Sequence, residues 1–216
     1  MEDSLFDLYS RAIIEDEFNN SNLHNTIFNL DKKIVSFKKK DLFTSDSRYI
    51  YRVLNGKVVL KRNDIIISII GEGDFIGISS LFNSSNDIDS YEALEDITLL
   101  VFDKNELLLV LFGLQEGWVY LLLQEKLLNE EITNNHMLLC QTGKVRLKNT
   151  LYNLADEYGT PVSEGKLIPK CFNRTMLSSY TNLSLTTIKR LTESYMREGW
   201  LEIEKHCFKV KERSER

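Results

Sequence analysis

The spacing of apolar residues gives the chain two parts of different character. From Ile34 to Phe102, short apolar runs are separated by turn sequences about ten residues apart. The clearest turn is Asn55-Gly56, because both central residues of a tight hairpin turn need a positive φ. Short strands at this spacing are typical of an antiparallel β barrel or sandwich. We therefore predict a β domain over residues 1–103.

A helical period replaces this pattern after Asp103. Apolar residues then recur at alternating steps of four and three over about 22 residues, with one interruption at Glu125. Over residues 104–138 this seam predicts a long helix that pairs with the same helix of a second copy, with a hinge at 137–141. The predicted dimer contacts are Leu114, Trp118, Leu121, Leu128 and Ile132.

A second stripe lies on the neighbouring face of the same helix and contains Glu116, Tyr120, Leu123 and Leu127. It is expected to cover the β domain while the first stripe meets the second copy. The pattern leaves the alternative open that both stripes are buried within one chain.

The remaining residues, 139–216, begin with another predicted helix. Thr142 is in a position to cap it, and Gly159 is its expected stop. A loop over 160–169 follows and holds both prolines of the chain.

Two short helices and a hairpin complete this part. Asn173 and Ser184 each precede a segment of helical period, as N-cap residues do, and the second segment spans about 185–198. Two strands follow at 200–203 and 207–210. Helix, turn, helix and hairpin in this order predict a winged helix-turn-helix, in which the second helix enters the major groove of DNA.

Polar and basic side chains occupy the outer face at the start of the predicted recognition helix. Lys189 and Arg190 suit phosphates or the O6 and N7 atoms of guanine, and a leucine or threonine methyl suits the thymine methyl group. Arg174 lies at the start of the preceding helix, where backbone amides also attract a phosphate. The predicted DNA contacts are Asn173, Arg174, Thr175, Ser184, Leu185, Thr186, Thr187, Lys189 and Arg190.

The distribution of charge supports this assignment. The net charge of −5 argues by itself against a nucleic-acid partner. However, residues 144–216 carry 14 Lys and Arg against 9 Asp and Glu, a net +5, and residues 1–143 carry 13 against 23, a net −10. The basic residues therefore lie in the part of the chain where a phosphate-binding domain needs them.

Other features exclude several classes of protein. The apolar run Leu107–Phe112 is far too short to span a bilayer and the acidic N-terminus is unlike a signal peptide, so we expect a cytoplasmic protein without a membrane partner. The three cysteines lack the spacing of a disulfide framework or zinc motif. No catalytic constellation or metal site stands out, and we expect no enzymatic activity.

Three segments resemble the Crp/Fnr family of bacterial regulators. YIYRVLNGKVVLKRN and ISIIGEGDFIGISSLF are similar to the family's cyclic-nucleotide-binding-type β-roll, and NRTMLSSYTNLSLTTIKRLTESYMREGWLE is similar to its winged helix-turn-helix. The resemblance implies an α+β fold: an N-terminal antiparallel, jelly-roll-like β-roll, a long dimerisation helix and a C-terminal winged helix-turn-helix. It also implies a homodimeric transcription regulator that binds an inverted-repeat operator in double-stranded DNA and, as an activator, contacts RNA polymerase.

The departures from the family concern the ligand. The resemblance places a degenerate effector pocket at Gly71, Gly73, Ile78, Ile88 and Asp89. Ile78 occupies the position of the ribose-binding glutamate, and Ile88 and Asp89 replace an arginine-serine pair for the cyclic phosphate. An apolar side chain and a carboxylate do not neutralise a phosphate, so cyclic AMP is not expected as effector.

No cofactor is expected either. An iron-sulfur cluster needs N-terminal cysteines, whereas the first cysteine is Cys140, and no haem ligand is evident between Asn29 and His136. The closest resemblance is to the PrfA-like branch, which also lacks the nucleotide-binding residues. Leu185 and Thr186 stand where the family usually has a base-reading arginine and glutamate, so an unusual operator is expected. The competing hypothesis is a small-molecule or protein-binding module whose C-terminal domain contacts a partner other than DNA.

Overall fold

A computed structural model describes residues 11–62, 65–78 and 89–211. The chain forms two compact units, Met1–Ile132 and Thr133–Arg216. The segment predicted as a separate dimerisation helix is therefore divided between the two units, and most of it belongs to the first.

The first unit is a β-roll built from two four-stranded antiparallel sheets. Their strand orders are β1-β8-β3-β6 and β2-β7-β4-β5. Two short helices, α1 (Arg11–Glu17) and α2 (Asn20–Thr26), precede the strands. The strands are β1 (Lys32–Phe37), β2 (Leu42–Phe43), β3 (Tyr49–Asn55), β4 (Val58–Arg62), β5 (Ile65–Ile70), β6 (Phe75–Ile76), β7 (Asp89–Ala93) and β8 (Ile97–Asp103). The predicted antiparallel β-roll is confirmed.

The turn at Asn55-Gly56 has a positive φ at Gly56 but not at Asn55, where one was also expected, and its role is different. Gly56 has a φ of 89°, and a Cβ there would lie 2.7 Å from the carbonyl oxygen of Asp96. Only glycine fits this close approach. The strands on either side do not pair with each other, because β3 joins β8 and β6 whereas β4 joins β5 and β7. The prediction of a hairpin at this turn was wrong, and the turn connects the two sheets.

Two helices follow the strands, where one was predicted. Helix α3 (Lys104–Gly113) begins at Asp103, whose carboxylate accepts hydrogen bonds from the backbone amides of Asn105 and Glu106. Helix α4 (Trp118–Leu139) leaves it at 117°.

The corner between these helices depends on a glycine. A Cβ at Gly117 would lie 1.9 Å from the carbonyl oxygen of Leu111, so a side chain there would force the corner open. The heptad pattern missed the break because Leu107 and Leu111 bury the inner face of α3 and keep an apolar period through it. Among the described residues, no single helix is long and apolar enough to cross a membrane, and only this bent pair would meet the length and composition criteria together.

The helices of the first unit pack on one side of the roll. Tyr120 and Leu123 of α4 are buried in this core, in agreement with the predicted second stripe, whereas Leu127 is exposed. The same core contains side chains from α2, α3 and β8, including Leu23, Ile27, Phe102, Leu107 and Leu111. Burying this much apolar surface is what fixes the helices to the sheets.

The second unit contains a helical core and one small sheet. Its helices are α5 (Gly143–Tyr158), α6 (Arg174–Thr181) and α7 (Leu185–Arg197). Its strands are β9 (Thr160–Val162), β10 (Gly165–Leu167), β11 (Leu201–Glu204) and β12 (Cys207–Val210), in the order β11-β12-β10-β9. Leu147, Leu151, Leu177, Ile188 and Tyr195 are among its fully or nearly fully buried side chains.

The segment 160–169, predicted as a loop, contains the hairpin β9–β10. Its prolines argued against a strand, because a proline has no amide hydrogen for the sheet. Pro161 nevertheless lies in β9, the edge strand of the sheet, where a missing donor costs little.

Candidate nucleic-acid interface

Both helices of the predicted helix-turn-helix begin with a side-chain cap. The side-chain oxygen of Asn173 accepts hydrogen bonds from the backbone amides of Thr175 and Met176, at 2.9 and 3.1 Å. The Ser184 hydroxyl accepts from the amide of Thr187 at 3.2 Å. Such caps satisfy amides that have no partner inside the helix and stabilise it by about 1 kcal/mol each. The sequence therefore sets the start of each helix.

The turn between the two helices is fixed from within. Asn182 adopts the left-handed conformation at a φ of 51°, which asparagine tolerates better than most residues. The Ser178 hydroxyl donates to the carbonyl oxygen of Leu183 at 2.6 Å, and the amide of Leu183 donates back to the carbonyl oxygen of Ser178 at 3.2 Å. This exchange of hydrogen bonds holds α7 at a defined angle to α6.

The inner face of α7 is buried as predicted, through Ile188, Leu191 and Tyr195. The Tyr195 ring packs against Trp200 with centroids 4.6 Å apart, and its hydroxyl donates to the carbonyl oxygen of Lys144. Burial raises the pKa of Tyr195 to about 12, followed by a smaller effect of Glu198. The tyrosine consequently stays a neutral donor, and this anchor does not titrate near neutral pH.

The outer face of α7 presents the predicted side chains to solvent. Leu185 is 52% exposed, and Thr186, Lys189 and Arg190 are also exposed. Thr187 differs from the prediction: it is half-buried, and its hydroxyl lies 2.9 Å from that of Ser184. Leu185, Thr186, Lys189 and Arg190 therefore form the exposed outer face of α7, and Ser184 and Thr187 lie at its cap.

The start of α6 is also exposed. Arg174 and Thr175 face solvent, and the caps leave the Asn173 side-chain NH2 group as its available donor. These groups lie at a helix N-terminus, where backbone amides and the helix dipole favour an anion. The arrangement suits a phosphate of the DNA backbone.

The wing is a two-stranded ribbon with a tight turn. Lys205 and His206 have φ values of 49° and 67°, and Glu204 pairs with Cys207. Two positive φ values in a two-residue turn match the right-handed twist of the strands. The turn residues are exposed, and Lys205 adds a positive charge there. Among the described residues, no cluster of three His, Cys, Asp or Glu side chains could hold a metal ion.

One residue that supports this site was missed by the sequence analysis. The Arg146 guanidinium donates from Nη1 to the carbonyl oxygen of Thr181 at 2.8 Å, and from Nη2 to those of Leu139 and Gln141 at 2.7 and 3.0 Å. It thereby satisfies carbonyl groups at the ends of α6 and α4, which have no partner inside their helices. A single arginine on an amphipathic helix carries no pattern that would have revealed this role.

A second support joins the two ends of the domain. Lys144 at the start of α5 donates to Glu198, just after α7, at 2.7 Å. The hydrogen bonds from Lys144, and then from Trp200, hold the pKa of Glu198 below its usual value. Lys148 lies 5.1 Å from the Trp200 ring, within the range of a cation–π contact.

The predicted effector pocket is only partly described. The amide of Gly71 donates to a carboxylate oxygen of Asp74 at 2.8 Å, and the other carboxylate oxygen accepts from Asn20 of α2 at 2.9 Å. Burial raises the pKa of Asp74 above its usual value. The amide of Gly73, whose φ is 93°, donates to the carbonyl oxygen of Val53 at 2.9 Å. The two glycines thus form one tight turn.

Of the remaining pocket positions, the side chain of Ile78 is described. Ile78, at the position of a ribose-binding glutamate, is 3% exposed and belongs to the apolar core that includes Leu107 and Leu111. Asp89 begins β7 opposite Arg62, and its side chain is outside the description. Ile88 lies outside the described residues.

The predicted dimer stripe is corrected in part. Leu121 is 6% exposed in the core of its own chain, so it is not available to a partner. Leu128 is half-buried against the interior of the roll, and its contact with a partner stays a prediction. Leu114 lies before α4, at the corner. Trp118 is 52% exposed, and Ile132 is also exposed.

The exposed apolar stripe of α4 follows a different set of positions. It includes Leu122, which is 57% exposed and was not predicted. Its apolar members are Trp118, Leu122 and Ile132, and the polar residues Glu125 and Asn129 lie between them, again at steps of four and three. The register differs because Leu121 and Leu128 turn towards the roll. Burial raises the pKa of Glu125 above its usual value.

Comparisons with known proteins bear on both units. Residues 36–113 match the family described as cyclic nucleotide-binding domain. Among curated proteins, none matches the sequence. The resemblance to Crp/Fnr regulators is confirmed at the level of the fold by solved structures.

The structure of FixK2 from Bradyrhizobium japonicum has a TM-score of 0.73 at 18% identity, over 85% of this chain and 94% of that one. CLP of Xanthomonas campestris, described as a cyclic di-GMP-responsive global regulator, has a TM-score of 0.71 at 15% identity, over 89% and 99% of the two chains. TTHA1359 of Thermus thermophilus, a transcriptional regulator of the CRP/FNR family, has a TM-score of 0.62 at 20% identity, over 83% and 94%. These likenesses span nearly the full length of each known protein.

Proposed function

We propose that this chain is a sequence-specific DNA-binding transcription regulator that acts as a homodimer. The observation that carries the proposal is the outer face of α7, where Leu185, Thr186, Lys189 and Arg190 are exposed on a helix whose inner face is buried. A capped helix-turn-helix followed by a ribbon is the geometry that places such a face in the major groove. The related folds belong to transcription regulators, which supports the same function.

The chemistry of this face indicates how DNA would be read. Arg190 and Lys189 supply positive charge for phosphates or for the acceptors of guanine. Leu185 is an exposed apolar side chain next to them, suited to the methyl group of thymine. The operator would then contain thymine opposite Leu185. Regulators of this family that have an arginine and a glutamate at the start of the helix would read other bases at that position. In an inverted repeat, two such helices would bind half-sites about 34 Å apart.

A homodimer follows from the exposed stripe of α4. Trp118, Leu122 and Ile132 present apolar surface at the spacing of a helix pair. Two copies pairing along this stripe would bury it and give the two-fold symmetry that an inverted repeat requires. The family-level resemblance supports the same assembly.

The proposed function is tested by selection from a random DNA library. We expect the wild-type chain to enrich an inverted repeat whose half-site centres are about one helical turn apart. The matched control is the double variant Lys189→Glu with Arg190→Glu, which reverses two charges on the outer face and leaves the buried face intact. Enrichment of no sequence by the wild-type chain, or of the same sequence by the variant, would reject DNA reading by α7 and favour a partner other than DNA.

We also propose that cyclic AMP does not control this protein. The position of the ribose-binding glutamate is held by Ile78, whose side chain is buried in the core. Known proteins of this fold include one described as responding to cyclic di-GMP, so the fold does not by itself select an effector.

Calorimetric titration with cyclic AMP tests this proposal. We expect no saturable heat up to millimolar nucleotide, because Ile78 offers no hydrogen bond to the ribose hydroxyls and an unmatched polar group costs about 1–3 kcal/mol. The control is the variant Ile78→Val, which keeps an apolar core residue and should behave identically. A saturable micromolar isotherm would contradict the assignment of Ile78.

A further inference from the structure

A buried hydroxyl lies inside the β-roll, away from the turn predicted to bind an effector. Ser68 of β5 is 5% exposed and pairs directly with Leu60 of β4. Residues directly opposite each other on antiparallel strands point to the same face, so Ser68 points with Leu60 into the apolar core of the roll. A hydroxyl buried in apolar surroundings needs a hydrogen-bond partner.

The partner of Ser68 comes from a helix and not from a neighbouring strand. The Ser68 hydroxyl donates to Oε2 of Glu131 in α4 at 2.6 Å, and the amide of Ile69 donates to Oε1 of the same carboxylate at 3.1 Å. Each carboxylate oxygen therefore has a donor from β5. Hydrogen bonds to an ionised carboxylate are roughly twice as strong as those between neutral groups. Leu128, one turn earlier, packs against the same core and places Glu131 over the strand.

We propose that Glu131 is an internal ligand of the β-roll and a positioning residue for DNA binding. Its carboxylate fills a donor pair inside the roll, holds the β4–β5 hairpin against α4, and thereby keeps the chain competent to bind DNA without a bound small molecule. This inference rests on the proposed function.

Helix α4 supplies the route from Glu131 to the DNA-binding helices. The helix continues without a break to Leu139. Asn135, one turn after Glu131, accepts a hydrogen bond from the hydroxyl of Tyr180 in α6 at 2.7 Å. Arg146 then binds the carbonyl oxygens of Leu139 and Thr181. The residues of α4 that support α6 therefore lie on the same helix as Glu131, one to two turns further on.

The test compares Glu131→Ala with Glu130→Ala in the full-length protein, using the sequence enriched from the random library. The control removes the same charge from the preceding residue, Glu130, whose carboxylate lies at the surface 3.9 Å from the Lys126 ammonium group. We expect Glu131→Ala to weaken DNA binding about tenfold, within the range of ordinary allosteric coupling, and Glu130→Ala to stay within about twofold of the wild type. Hydrogen exchange at the Ile69 amide should accelerate in Glu131→Ala and not in Glu130→Ala.

A milder variant keeps the test decisive if Glu131→Ala does not fold. Ser68→Ala removes one of the two donors and fills the same space within one oxygen atom, so we expect roughly threefold weaker DNA binding. If Ser68→Ala or Glu131→Ala shows faster hydrogen exchange at Ile69 but unchanged DNA affinity, the contact between Glu131 and β5 serves only the stability of the roll. If the wild-type chain enriches no DNA, the proposed function fails. If it does enrich DNA and these variants bind it as Glu130→Ala does, only the role of Glu131 fails.

Discussion

Replacing Arg190 with alanine is expected to weaken operator binding by roughly tenfold to a hundredfold, the usual effect of losing a base or phosphate contact in a recognition helix. The guanidinium is exposed on the outer face of α7, so its loss leaves the buried face and both caps unchanged. If Arg190 contacts a phosphate, the slope of log affinity against log salt should fall by about one, because one fewer counterion is released. If it contacts guanine, the slope should change little and the base preference at one position should relax. Lys189→Ala is expected to follow the phosphate pattern.

The matched control for both variants is Arg197→Ala. Arg197 is an exposed basic residue in the last turn of the same helix, where a recognition helix leaves the groove. Gel-shift titrations across a salt series measure all three variants. If Arg197→Ala loses as much affinity as Arg190→Ala, the effect is a general one of positive charge. If neither Lys189→Ala nor Arg190→Ala changes the affinity, the DNA binds to another face.

Replacing Leu122 with lysine is expected to convert the proposed dimer into monomers at micromolar concentration. The two-fold symmetry of a homodimer places each substitution in the interface twice, and two buried charges without partners cost several kcal/mol. We expect the dissociation constant of the dimer to rise at least about a hundredfold. The affinity for the inverted repeat should fall as a consequence. Analytical ultracentrifugation measures the first effect, and gel shifts with full operator and single half-site measure the second.

The control for this variant is Leu42→Lys in β2. Leu42 is an exposed leucine of the first unit and does not belong to the stripe of α4, so it tests the effect of a lysine on an exposed apolar position. The assembly along α4 would be refuted if Leu122→Lys sediments as the wild-type dimer does. Dissociation by Leu42→Lys as well would place the interface on the roll.

The start points of α6 and α7 could be predicted because they depend on local chemistry. Asn173 and Ser184 cap helices with their own side chains, and the stripe of Ile188, Leu191 and Tyr195 has an unmistakable helical period. Each of these signals involves residues within seven positions of one another. Such interactions form in any fold that permits the helix, so the sequence alone is sufficient to locate them.

The errors concern features that depend on distant parts of the chain. The Asn55-Gly56 turn connects two sheets because β3 pairs with β8 and β6 whereas β4 pairs with β5 and β7, a fact of topology that no local turn signal contains. Leu121 was assigned to the dimer because its spacing fits a seam, but the roll takes the same side chain into its core. The corner at Gly117 depends on the close approach of the Leu111 carbonyl, which only the packed structure reveals.

The supporting residues of the site were beyond sequence reasoning for a similar reason. Arg146 and Glu131 are charged residues on helices, and such residues most often lie at a solvated surface. Their roles come from what the fold places beside them: backbone carbonyl groups for Arg146, and a serine hydroxyl and a backbone amide for Glu131. The sequence specifies the donors and acceptors, and tertiary structure decides their partners.

The self-contained caps and turn of α6 and α7 have a kinetic consequence. The hydrogen bonds from Asn173, Ser178 and Ser184 that shape them come from their own residues, and Arg146 of α5 adds one at the end of α6. We therefore expect the proposed reading surface to be formed before it meets DNA, so that association includes no folding step. The rate of association then depends on electrostatic attraction between the protein and DNA, and added salt lowers this rate. The lifetime of the complex depends on how well each operator fits a surface that does not adapt, and sequence discrimination is therefore expressed mainly in dissociation.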